Sequence, residues 1–175
     1  GKLRGILFGY ACHNTTLGFY QFCGDFAGFA QLAIEEANPG ALALYMQGCG
    51  ADINPYPRST LELAKQHGQS LATAVQSALD TVATPLVGEL RTSYGKATVE
   101  YSTPPTKDEL VKRTHSSNKY VAIHGQRLLT QLANDGHLRR TYDCPIQVVQ
   151  LGDKLKMIAL PGETVVDYAL RIKSD

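Results

Sequence analysis

Apolar residues along this chain fall into short runs separated by Pro, Gly, Asn and Asp, and the runs alternate between two periods. Leu3 to Ala11 reads as a first strand. From Phe26 to Ala37 the apolar positions recur at helical spacing, with Asp25 placed as N-cap, and the helix stops at Asn38-Pro39-Gly40. Ala41 to Met46 is a short apolar run that reads as a buried strand. Strand, loop, helix and strand make the skeleton of a βαβ unit. Ser59-Thr-Leu-Glu62 is a capping box that starts a helix to about Val82, with Leu61, Ala64, Leu71, Val75 and Leu79 as its buried stripe. Gly68 weakens that helix by about 1 kcal/mol relative to Ala.

Beyond Thr84-Pro85 the period changes. Pro85 to Tyr101 is extended, in two period-two segments around Gly95, which suits a sheet edge or a hairpin about Tyr94-Gly95-Lys96. Ser102-Thr-Pro-Pro-Thr106 marks a boundary to a polar, mainly helical insert over residues 103–142. Thr106 with Glu109 gives it a capping box, and the helical pattern breaks near His115-Ser-Ser-Asn118 before a turn at Asp135-Gly136. Strands Ile146 to Leu151 and Leu155 to Leu160 flank the turn Gly152-Asp153-Lys154, and a helix follows from Thr164 to Ile172. The expected class is α/β: a mixed sheet with helices packed on its faces, as part of a longer domain.

Three polar segments stand just past core strands: His13 with Asn14, Thr15 and Thr16; the loop Gln47-Gly-Cys-Gly-Ala-Asp-Ile-Asn-Pro55; and Glu163 after Pro161-Gly162. If their strands share a sheet and a direction, these loops meet at one edge, where α/β folds place ligand and catalytic groups. Imidazole nitrogen and carboxylate oxygen both suit zinc, although two ligands do not close a site. The plainer reading makes His13 a satisfied strand-end residue, and Asp52 and Asn54 turn residues that bond their own backbone. His115, His124 and His137 share no spacing and read as solvated.

Charge narrows the partners. With 17 basic and 16 acidic residues the net charge is +1, and no basic block or basic-aromatic stripe recommends nucleic acid or an anionic membrane. No apolar run approaches the ~18 residues of a transmembrane segment. Four cysteines (Cys12, Cys23, Cys49 and Cys144) contain no CxxC pair, so neither a zinc finger nor a disulfide framework is indicated, and most read as buried small hydrophobes. The chain opens directly on a strand-like run, as an excised internal piece would.

Four segments, in order, resemble the neutral (non-lysosomal) ceramidases. Tyr10-Ala-Cys-His-Asn-Thr-Thr16 is similar to their zinc-histidine segment, and Gly24-Asp-Phe-Ala-Gly-Phe-Ala30 to their Ser-Asp-x-x-Gly-Tyr-Ala segment. Gln47 to Pro55 resembles their Gly-Asp-Val-Ser-Pro loop, and Leu160-Pro-Gly-Glu163 the Pro-Gly-Glu that supplies a zinc glutamate. The segment from Pro104 to Tyr142 matches poorly. The resemblance implies zinc held by His13 and Glu163, with a further histidine upstream and a tyrosine downstream, both outside this chain; Tyr168 is not that tyrosine. It also implies a small N-acyl or lipid-like substrate of the sphingolipid kind and a secreted or periplasmic setting.

Where those enzymes carry a catalytic Ser, this chain has Asn54. An amide has no ionisable proton to yield as a nucleophile, but it can donate a hydrogen bond to a developing oxyanion. Asn54 and Asp52 are therefore the expected catalytic loop residues of a hydrolase that uses metal-activated water. Two other readings stand beside it. One is a non-catalytic relative that uses the scaffold for binding. The other is a thiol hydrolase built on Cys49, which has Gln47 and Ala51 where a nucleophile elbow needs Gly.

Overall fold

The computed structural model describes residues 2–174. Strands β1 (Gly5–Tyr10) and β2 (Leu42–Gln47) lie side by side in parallel, with Gly5 opposite Leu42 and Tyr10 opposite Gln47. Helix α1 (Asp25–Ala37) connects them, completing the expected βαβ unit, and α2 (Leu61–Leu79) packs on α1. The period-two pattern of β1 points Ile6 and Phe8 to one face, and Ala43 of β2 joins them there. Ala30 and Ile34 of α1 and Ala72 of α2 close this core.

The expectation of a fully buried second strand is corrected. Leu42, Leu44 and Met46 of β2, with Leu7 of β1, are exposed, because α1 and α2 cover one face of the pair only. The caps also shift by one residue. Thr60, not Ser59, caps α2 by accepting from the Leu63 N–H at 3.2 Å, and Ser59 sits at φ 94°.

Gly68 acquires a reason that helix propensity alone does not give. A Cβ placed there would lie 2.6 Å from the Phe29 Cβ, 2.8 Å from the Phe26 carbonyl oxygen and 3.0 Å from the Ala30 nitrogen. Its hydrogen lets α2 cross closely over α1. Gly68→Ala is therefore expected to destabilise the chain by about 1–3 kcal/mol through overpacking, despite the ~1 kcal/mol that Ala gains in an isolated helix. Urea unfolding of the two proteins measures this, and a stabilised variant would refute the close-crossing argument.

The chain forms two compact units. The first runs to Leu86 and resumes from Gly162; the second is Val87–Pro161. In the second unit, β3 (Leu90–Glu100) is one continuous strand that pairs antiparallel with β4 (Thr141–Leu151), and β4 pairs antiparallel with β5 (Leu155–Ala159). Gly95 lies within the ladder opposite Ile146 and β3 stands at the edge of its sheet, so of the two expected outcomes the sheet edge forms and the hairpin does not. Helices α3 (Lys107–Thr114) and α4 (Lys119–Asp135) pack on each other. The Thr106–Glu109 capping box is present, and Asn118 caps α4 where the sequence breaks. Gly136 ends α4 at φ 74°, a left-handed position that glycine takes without a Cβ penalty.

The class is α/β, with parallel and antiparallel pairing both present but held in two separate sheets. Helix α5 (Val166–Ser174) belongs to the first unit. Among the described residues no helix is long and apolar enough to cross a membrane.

Candidate functional site

Strand β1 ends at Tyr10, and the chain carries Cys12 and His13 directly onto the loop that follows β2. The His13 backbone N–H donates to the Ile53 carbonyl at 3.0 Å, and the His13 ring Nε2 lies 2.9 Å from the Ala51 carbonyl oxygen. A carbonyl oxygen only accepts, so Nε2 carries the proton, and in a neutral ring Nδ1 keeps its lone pair. Gly50 makes this approach feasible. A Cβ there would stand 2.5 Å from both the Ala11 carbonyl carbon and the Cys12 nitrogen.

The same loop holds the segment after Glu163. The Ala51 N–H donates to the Thr164 carbonyl at 3.1 Å, and Asp52 Oδ1 accepts from the Val166 N–H at 3.1 Å. Val166 is the first residue of α5, so Asp52 caps that helix from across the chain, where a carboxylate also faces the positive helix end. This structural task differs from the catalytic one expected of Asp52. Glu163 itself is exposed and makes no side-chain hydrogen bond among the described residues. The expected shared sheet edge is also corrected: β5, the strand before Glu163, pairs with β4 in the antiparallel sheet and not with β1 or β2. One backbone hydrogen bond, from Ala51 to Thr164, and the Asp52 side chain on Val166, rather than strand pairing, bring the residues after Glu163 to this place.

Asn54 does not bond its own backbone among the described residues. Its Oδ1 accepts from the Thr15 hydroxyl at 3.0 Å and from Arg58 Nη1 at 3.4 Å. With the oxygen engaged, the Nδ2 group retains its two N–H donors.

One organising residue carries more than its sequence reading suggested. Asp25 is buried and begins α1 at φ 50°, one place after the N-cap Gly24. Its Oδ1 accepts from the Thr16 N–H at 3.1 Å and the Phe26 N–H at 2.8 Å, and its Oδ2 from the Leu17 N–H at 2.8 Å. Three backbone donors satisfy the buried carboxylate and fasten the chain after His13 to the head of α1. The cap expected at Asp25 falls instead on Gly24, and Asp25, one place on, is the clamp on the His13 loop.

A cleft of about 460 Å³ opens beside these residues, lined by Tyr10, Phe26, Asn54, Tyr56, His67 and Ser70 among others. His67 escaped the sequence reading. Its signal was the i,i+3 spacing to Ser70 on α2, which sets both on one helix face. Cys12 also borders the cleft, and burial, with the nearby Asp25 carboxylate adding to it, pushes its thiol above the ordinary range. That disfavours a thiolate nucleophile there. All four cysteines are free and only Cys12 is buried, so the expectation of mostly buried cysteines is corrected. Cys49 makes no hydrogen bond to an imidazole among the described residues. His115, His124 and His137 are exposed, as expected.

No family model, curated protein or solved structure matches the chain. The chemistry of the site rests on its own atoms. Among the described residues no three His, Cys, Asp or Glu side chains group into a set that could hold a metal ion. The His13 ring nonetheless has the arrangement typical of a metal ligand, one nitrogen fixed by a backbone carbonyl and the other bearing a lone pair. Glu163 supplies an exposed carboxylate on the segment held by the same loop. Imidazole nitrogen and carboxylate oxygen are both donor types that zinc accepts.

Proposed function

We propose that this chain carries half of the metal site of a zinc-dependent hydrolase of amide (N-acyl) bonds, akin to the neutral ceramidases. The observation that supports it most is the His13 Nε2 hydrogen bond to the Ala51 carbonyl, which leaves Nδ1 free to ligate. In this reading His13 Nδ1 and the Glu163 carboxylate hold the zinc together with ligands from elsewhere in a longer parent protein. Zinc, when bound, supplies Lewis acidity and lowers the pKa of water towards ~7. Asn54 directs its Nδ2 donors at a carbonyl oxygen as that atom gains charge. Asp52 holds the loop to α5 and so keeps Asn54 and His13 in register. The substrate is a small molecule with an N-acyl group and an apolar body.

Zinc content and N-acyl amide hydrolysis of the full-length parent test this directly. His13→Ala and Glu163→Ala are each expected to remove zinc and turnover together. The present chain alone, titrated with zinc, is expected to bind it weakly, since a half-site leaves the ion mostly hydrated. A His13→Ala parent that keeps its zinc would overturn the assignment. A second reading, ligand binding without hydrolysis, is favoured by Asn54 standing where the resemblance expects a serine. It predicts amide binding by a parent that does not turn over.

A further inference from the structure

The cleft beside Asn54 has a polarity that its hydrogen bonds define. Among the described residues no Lys, Arg, Asp or Glu side chain lines it, which suits an uncharged occupant. Its walls are largely aromatic and aliphatic, as in sites for amphipathic small molecules. The polar groups take distinct roles. Asn54 offers Nδ2 donors, because its oxygen is taken by Thr15 and Arg58. His67 is the opposite. Its Nε2 lies 2.7 Å from the Pro57 carbonyl oxygen, which can only accept. Nε2 is therefore protonated, and Nδ1 of the neutral ring is an acceptor. Ser70 donates its hydroxyl to the Gln66 carbonyl at 2.9 Å, which leaves only lone pairs for a ligand.

The His67–Pro57 bond also ties the loop that carries Asn54 to α2. Donor and acceptor thus sit on two elements that are joined to each other. Such a pair suits a ligand with an oxygen acceptor and an N–H donor, as a secondary amide has. An ester has the same carbonyl but no N–H. It would make one hydrogen bond fewer than the amide, because the His67 acceptor has no N–H to meet.

We propose that His67 is a specificity residue which makes this cleft select neutral secondary amides over the corresponding esters, with Asn54 Nδ2 on the carbonyl oxygen and His67 Nδ1 on the amide N–H. This deepens the amide-hydrolase reading and rests on it for the identity of the cleft as a substrate site. The selection itself needs no metal.

The test is binding to the full chain in a chelator, where hydrolysis plays no part. N-phenylhexanamide and phenyl hexanoate, matched in size, serve as probes in titrations followed by amide-proton chemical shifts. The amide is expected to bind about fivefold more tightly than the ester, the worth of one net neutral hydrogen bond. His67→Phe, which keeps a ring but has no acceptor, is expected to bring the two affinities together. Because it also breaks the tie to Pro57, His67→Asn is the control. An Asn oxygen stands where Nδ1 stood and accepts from the ligand, although the amide is too short to keep the Pro57 bond, so discrimination is expected to persist with the tie removed. Asn54→Ala is expected to weaken amide and ester alike, since both share the carbonyl. Equal binding of the two probes by the unaltered chain, binding of neither, or discrimination that survives in His67→Phe would each overturn the proposal. Amide-selective binding by the chain, with a zinc-loaded parent that does not hydrolyse the amide, would uphold the selectivity while refuting the hydrolase reading.

Discussion

Replacing Asn54 with Ala in the full-length parent is expected to lower turnover of an N-acyl amide by roughly 10²–10³-fold, the usual cost of one oxyanion donor. The expectation follows from how the side chain is held. Thr15 and Arg58 occupy its oxygen, and the two N–H donors are left beside the cleft. The Ala variant alone does not separate a catalytic donor from a loop brace, because it deletes both functions. Asn54→Asp does separate them. A carboxylate keeps an acceptor for Thr15 and Arg58 but has no N–H, so the loop stays fastened while the donor disappears. Turnover is then expected to fall as far as in Asn54→Ala, with zinc content retained and the unfolding midpoint close to that of the unaltered protein. Full turnover in folded, zinc-loaded Asn54→Asp would assign Asn54 to bracing alone.

The second large effect is expected at Gly50. A methyl group there would stand 2.5 Å from two backbone atoms, the Ala11 carbonyl carbon and the Cys12 nitrogen. Backbone cannot step aside as the end of a side chain can, so the loop itself must move. Gly50→Ala is expected to cost about 1–3 kcal/mol of stability as overpacking. It also displaces the Ala51 carbonyl that fixes the His13 ring. Loss of such a supporting hydrogen bond typically lowers metal affinity by about 10–100-fold. Gly48→Ala is the comparison, since its methyl would meet the Ala11 Cβ at 3.1 Å, a milder crowding one loop position away from Cys49. Denaturant unfolding and zinc competition on the parent report the two effects. Unchanged zinc affinity in Gly50→Ala would mean that the Ala51 carbonyl does not orient His13.

Taken together, these variants separate three layers of the site. Gly50 sets the distance between β1 and the loop, the Ala51 carbonyl sets the His13 tautomer, and Asn54 presents donors to the cleft. Each layer has its own measurement. Asp52, by contrast, is expected to matter through α5, because its carboxylate is committed to the Val166 N–H.

Local physics was legible in the sequence wherever a residue's own neighbours decide its conformation. The Thr106–Glu109 capping box, the break at His115 to Asn118 and the turn at Gly136 depend on side chains a few positions apart, and they form as their pattern indicates. The strand–helix–strand order of β1, α1 and β2 followed from apolar period in the same way. What lay outside that reach was decided between segments far apart in the chain. Gly95 looked like a turn because glycine weakens a strand, yet an eleven-residue antiparallel partner, β4, keeps β3 continuous through it. Gly68 looked like a helix defect, and the close crossing of α1 explains it instead. His13, Asp52 and Asn54 could be singled out by residue type and by their place after strands. Their working roles came from long-range bonds: Ala51 to the His13 ring, Asp52 to Val166, and Thr15 to Asn54. His67 became visible only when the Pro57 carbonyl fixed its tautomer beside the cleft. A sequence states which groups are present and how each turn begins and ends. Which nitrogen carries the proton, and what it faces, depends on hydrogen bonds that close only when distant segments pack.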